Sequence, residues 1–299
     1  MTSPAQGAAP APAPLRLLFI HHSVGGQLLA DEGPRSGGET RESGEYCIYV
    51  SHPYGGGLRR RLEATGYEVH EASYGSRVGD KTDIRDWGPK FANQMEEILR
   101  VDRQDRQYPG DERNRIVVFK SCFPNNAFVG AGTPPGDPTV PQLTVANAQA
   151  AYRALLPLFQ ARPEVLFVAF TAPPLAERKP VGLKAKLKAF LQGTPRAGRH
   201  ARAFNTWLTD RQGGWLAGYP LANVVVFDYY DLLTAHGASD WLAYPTGGGR
   251  DSHPSAEGQR RAAEAFVPFL DKAVEELGLR REQRPGNVAA PSSESDSGE

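Results

Sequence analysis

Cysteine is nearly absent from this chain. Cys47 and Cys122 are its only two, too few for a disulfide scaffold and too far apart for a C-x-x-C metal or redox motif, so both are expected to be free thiols. Net charge is lacking as well. Lys plus Arg and Asp plus Glu both number 34, so no overall field draws the chain to nucleic acid, and no basic block flanks the foldable region. No apolar run reaches the roughly 20 residues needed to cross a bilayer. Residues 1–19 lack a basic segment followed by an apolar core of signal-peptide length, and the chain as it stands reads as soluble and cytoplasmic. The H-E-x-x-H spacing does not occur, and HHSVGG carries neither the Walker Lys-Ser/Thr nor the G-x-G-x-x-G pattern. No metal and no cofactor are expected, and the partner to look for is a small molecule.

What is present is an alternating pattern between two biased ends. Residues 1–14 are Ala/Pro-rich and residues 281–299 are acidic and Ser-rich; neither composition can bury enough apolar surface to offset the entropy of ordering, and both read as disordered tails. Residues 15–280 read as one domain. Short β-branched or aromatic runs at 15–20, 67–73, 115–120, 164–170 and 223–229 are expected strands. They are almost continuously apolar, as strands buried on both faces are. Helical periodicity follows at 57–65, 88–101, 145–161, 197–211 and 255–276, with Ser255 as N-cap of the last. The expected fold is a three-layer α/β/α sandwich around a parallel, flavodoxin-like five-stranded sheet.

Sheets of this kind build their sites at the carboxyl ends of the strands. Those ends are HHSVGG at 21–26, YGS at 74–76, SCFPNN at 121–126 and TAPP at 171–174, with YPTGGGRDSHPS at 244–255 leading into the last helix. A serine hydroxyl becomes a nucleophile when a histidine takes its proton and a carboxylate fixes that histidine's tautomer. Ser23, His253 and Asp251 supply the three groups. A tetrahedral intermediate also needs donors for its oxygen, and the Ser23 amide, the Gly75 backbone and the Asn125 side chain are candidates.

These blocks resemble the SGNH, or GDSL-like, hydrolases, and the likeness extends over most of residues 15–273. NAQAAYRALLPLF, VLFVAFTAPP and NVVVFDYYDLL are similar to a bacterial branch of that family. The resemblance implies a metal-free serine esterase or acyl hydrolase that cleaves a carboxylic ester, acetyl or short acyl among them. Ser23 matches the nucleophile, His253 the base, Asp251 the acid, and Gly75 and Asn125 the oxyanion positions. Three blocks depart from the family pattern. His21-His22-Ser23 replaces Gly-Asp-Ser; the acid precedes His253 by two residues rather than three, Arg250 holding the usual place; and Ser-Cys-Phe-Pro-Asn-Asn replaces Gly-x-Asn-Asp, which makes Asn126 an alternative to Asn125.

Plainer roles stand beside these. Ser23 is also a good helix N-cap, Asp251 and His253 are ordinary residues of a Gly-rich loop, and Cys122 is a small buried hydrophobe unless it shares His253 as a thiol nucleophile. His21 and His22 end a buried strand, one side chain toward the rim and the other into a helix layer, where they contact substrate or tune Ser23 or are hydrogen-bonded core histidines; His22 is an additional candidate site residue. Zinc on His21 or His22 with His253 and Asp251 has suitable donors but no motif spacing. The basic stretch at 175–200 is a solvated helix or a cover over the rim that attracts anions. Two other functions fit the same rim: a binding module for a small molecule or carbohydrate without turnover, and an acyltransferase that uses the same nucleophile.

Overall fold

The computed structural model describes residues 13–38, 46–177 and 197–280. Most of both expected tails and of the basic stretch lies outside these residues. The main sheet is built from β1 (Leu15–Ile20), β2 (Tyr67–Ala72), β3 (Val101–Arg103), β4 (Arg106–Gln107), β5 (Ile116–Lys120), β6 (Leu166–Phe170) and β7 (Val224–Phe227). Its order is β7-β6-β5-β1-β2-β3-β4, parallel throughout except for the last pair.

Seven strands rather than five correct the sequence reading. β3 and β4 are too short and too polar to form an apolar run, and β3 directly follows the last turn of a helix. Gln104 joins them at φ 55°. Its side chain accepts from the Ser73 N–H at 2.7 Å and donates to the Tyr74 carbonyl at 2.9 Å, which ties this edge to the end of β2.

Helices α1 (Ser23–Leu29), α2 (Leu58–Ala64), α3 (Trp87–Arg100), α4 (Val145–Arg153), α5 (Leu156–Gln160), α6 (Ala197–Thr209), α7 (Tyr229–Leu233) and α8 (Ala256–Leu277) pack around the sheet. Successive strand side chains point to opposite faces, and β1 shows the consequence. Leu15, Leu17 and Phe19 join a core with α1, α2 and α8, while Leu18 and Ile20 join a second core with α3, α4, α5 and α6. β5 and β6 are buried along their whole length, so the sheet is the middle of three layers. The single helix expected over 145–161 is broken between α4 and α5. Pro157 has no N–H to continue the ladder and its ring crowds the preceding turn; the chain instead passes through Leu155 N–H to Tyr152 O and Leu158 N–H to Leu155 O.

Among the described residues, two small ribbons stand apart from the main sheet. Asp31–Glu32, Ser36–Gly38 and Ile48–His52 form one; Pro245–Thr246 and Asp251–Pro254 pair antiparallel immediately before α8. Among the described residues no helix is long and apolar enough to cross a membrane.

Candidate active site

The chain leaves β1 through HHSVGG. His21 is fully buried, and its N–H still pairs with the Ala72 carbonyl at 3.0 Å. His22 is extended (φ −118°, ψ −162°) and precedes α1; its carbonyl accepts from Gly25 N–H at 2.9 Å and Gly26 N–H at 3.2 Å. Ser23 is therefore the first helical residue. Its N–H and that of Val24 have no acceptor among the described residues. The two glycines allow the turn to close. A Cβ on Gly25 would collide with the His21 side chain, and one on Gly26 with the Cys47 carbonyl oxygen. Ser23 does not cap α1; its hydroxyl turns toward the last ribbon.

There Ser23 Oγ lies 3.1 Å from His253 Nε2. His253 Nδ1 is 2.7 Å from Asp251 Oδ1, which also accepts the His253 backbone N–H at 3.1 Å. The spacing of two has a structural reason. Asp251–Pro254 is a strand, and in a strand residues i and i+2 share a face. Burial raises the Asp251 pKa, but hydrogen bonds from the His253 ring and backbone outweigh it and leave the carboxyl below its ordinary range. Ionised Asp251 accepts, so Nδ1 carries the proton and Nε2 is left to accept from the Ser23 hydroxyl. Thr246 Oγ1 donates to the His253 carbonyl at 3.1 Å, and the Phe123 ring meets the imidazole edge-on at a centroid distance of 5.0 Å. The Asp251 side chain is 46% exposed and that of His253 24%. The relay therefore opens to solvent on its acid side.

The remaining candidates have other partners. Gly75, at φ 84°, donates its N–H to Asp80 Oδ1 at 3.0 Å. Asn125 is buried; its amide nitrogen donates to Asp83 Oδ1 at 2.9 Å and its oxygen accepts from Ile84 N–H at 2.8 Å. Asn126 donates to the carbonyls of Ala172 at 2.7 Å and Pro173 at 3.0 Å, and accepts from Asn205 at 2.9 Å. In this conformation the loop 74–86 engages Gly75 and Asn125, and the free donors beside Ser23 are backbone N–H groups.

Further side chains lie around the relay. Cys122 Sγ is 3.8 Å from Ser23 Oγ. Lys120 ends the run IVVFK fully buried, its amine donating to the Ser121 carbonyl at 3.2 Å, and desolvation lowers its pKa. A lysine closing an apolar run was the signal available for it. His22 Nε2 donates to the Gly79 carbonyl at 3.0 Å, and its ring stacks on Tyr74 at 3.6 Å. Burial, above all, pushes His22 down to about 3. Its imidazole is neutral at physiological pH.

Beneath the turn is a buried chain of polar groups. His21 Nδ1 donates to the His22 carbonyl at 2.9 Å, and its Nε2 is 2.9 Å from Glu71 Oε2. Glu71 also pairs with Arg59, which donates to the Val69 carbonyl at 2.6 Å. Burial raises the Glu71 pKa, but Arg59 and His21 outweigh it and keep it low. A cleft of about 550 Å³ opens beside this chain, lined by Arg59, Glu71, Arg103 and Arg106 among others; Ser23 and His253 do not border it.

Among the described residues no group of three or more His, Cys, Asp or Glu side chains is arranged to hold a metal ion. Comparison of the chain with protein-family models, curated proteins and solved structures finds no match.

Proposed function

We propose that this chain is a serine esterase of SGNH type that cleaves a carboxylic ester through an acyl-enzyme. The observation that carries the proposal is the continuous relay of Ser23 Oγ to His253 Nε2 at 3.1 Å and His253 Nδ1 to Asp251 at 2.7 Å, at the carboxyl edge of a mainly parallel sheet. The order of the five long strands supports it: β2-β1-β5-β6-β7 is a flavodoxin-like arrangement. Ser23 Oγ attacks the ester carbonyl while His253 takes its proton. His253 returns that proton to the leaving alcohol, Asp251 holds its tautomer, and a water activated by the same base releases the acid. The Ser23 N–H receives the oxyanion. Gly75 and Asn125 stay engaged with Asp80 and Asp83.

One observation favours a second reading. The engaged Gly75 and Asn125 donors suit a ligand-binding module that has kept the relay without turnover. Hydrolysis of p-nitrophenyl esters of graded chain length by wild type and Ser23→Ala separates the two. Turnover that Ser23→Ala abolishes supports the esterase, with release onto an added alcohol marking acyl transfer. No turnover by folded wild type on any ester selects the binding module.

A further inference from the structure

We infer that His21 is a positioning residue that orients and polarises the His22–Ser23 peptide, making the Ser23 N–H the principal oxyanion donor; the inference rests on the hydrolase reading above.

The geometry allows His21 one arrangement. Its side chain is 0% exposed, its ring meets Phe19 edge-on at 5.2 Å, and Gly25 lies against it with no room for a Cβ. Nδ1 faces the His22 carbonyl and Nε2 faces Glu71, both at 2.9 Å. With Glu71 ionised, both ring nitrogens face acceptors and both donate, as in an imidazolium. Such hydrogen bonds are charge-assisted and stronger than neutral ones.

The choice of acceptor separates this role from that of a core ion pair. The His22 carbonyl already receives Gly25 N–H and Gly26 N–H, so its two lone pairs need no further donor. The His21 contact is surplus to the satisfaction of that oxygen. What it does is chemical. The His22 carbonyl and the Ser23 N–H belong to one peptide group, and a donor at the oxygen draws electron density from the nitrogen and strengthens its N–H as a donor. Gly75 and Asn125 are held by Asp80 and Asp83. The amide that His21 polarises is, with that of Val24, free to meet a developing oxyanion, and it is the one on the nucleophile itself. Glu71 and Arg59 hold the ring in place from the opposite side of the turn.

The test compares wild type with His21→Ala, His21→Asn and Glu71→Gln on the best p-nitrophenyl ester and on an arylboronic acid, which becomes a tetrahedral anion on the serine. His21→Ala is expected to lower kcat and boronic-acid affinity together by about tenfold with KM within about twofold. His21→Asn, which keeps a neutral donor near Nδ1, should recover part of the loss, and Glu71→Gln should fall between. If kcat and boronic-acid affinity stay within about twofold in folded variants of an active wild type, the inference fails. Should the variants not fold, nitrogen-15 NMR of the wild-type imidazoles decides: His21 should show two ring N–H protons in slow exchange, and a single one overturns the inference. Wild type that neither turns over nor reacts with a fluorophosphonate is a different failure, that of the hydrolase reading itself.

Discussion

The two sides of the site differ in readiness. On the side that handles the proton, Ser23, His253 and Asp251 are within hydrogen-bond distance of one another. On the side proposed to receive negative charge, the Gly75 N–H and the Asn125 amide already donate to Asp80 and Asp83. The first side is fixed by regular structure: the end of β1, the start of α1 and a two-stranded ribbon. The second is carried by the loop 74–86, whose carboxylates compete for the donors. In the proposed esterase, regular elements preorganise the relay, and irregular backbone holds the Gly75 and Asn125 donors.

Substitutions on each side test that contrast. Ser23→Ala or His253→Ala removes a member of the relay and should lower kcat on a p-nitrophenyl ester by about 10⁴-fold or more; residual turnover near wild type would detach the chemistry from this side. Asp251→Asn should cost about 10²-fold, less than a buried triad acid, because half of the carboxylate's environment is water; a pH-rate profile measured alongside should keep its shape with a lower plateau. Asn125→Ala should cost less than about tenfold, against the 10²–10³-fold expected of an open oxyanion donor. A full-sized loss would mean that the loop releases Asn125 during turnover.

The smallest effect concerns stability. His22 and His52 are pushed down from 6.5 to about 3 and about 4, chiefly by burial. The unfolded chain therefore binds protons on them that the folded chain refuses. Their contribution is complete above pH 6.5 and is lost as pH falls through about 4 and then about 3. Urea unfolding midpoints should decline across that window, and His22→Gln should flatten the decline relative to wild type.

The sequence made part of this legible. Apolar runs marked the five long strands, because burial on both faces leaves a continuous signal, and the rule placing sites at strand ends then gathered Ser23, His253 and Asp251. β3 and β4 gave no such signal: VDR is held by pairing with β2, RQ by pairing with VDR, and Gln104 ties the turn between them to the end of β2. The break at Pro157 was visible as a residue, yet the apolar stripe continued across it. Asn125 and Gly75 were found by position. Their engagement was not, since it depends on Asp80 and Asp83 folding back within a loop that has no periodicity. The same limit applies to His21. A histidine after a strand is readable, but its bonds to Glu71, 50 residues away, and to its neighbour's carbonyl belong to tertiary structure.

Peptide mapping of the intact protein after reaction with a fluorophosphonate decides whether Ser23 is the nucleophile of the relay. The account predicts one adduct, on Ser23, lost in Ser23→Ala and slowed in His253→Ala. An adduct on another residue, or none on folded wild-type protein, would contradict it.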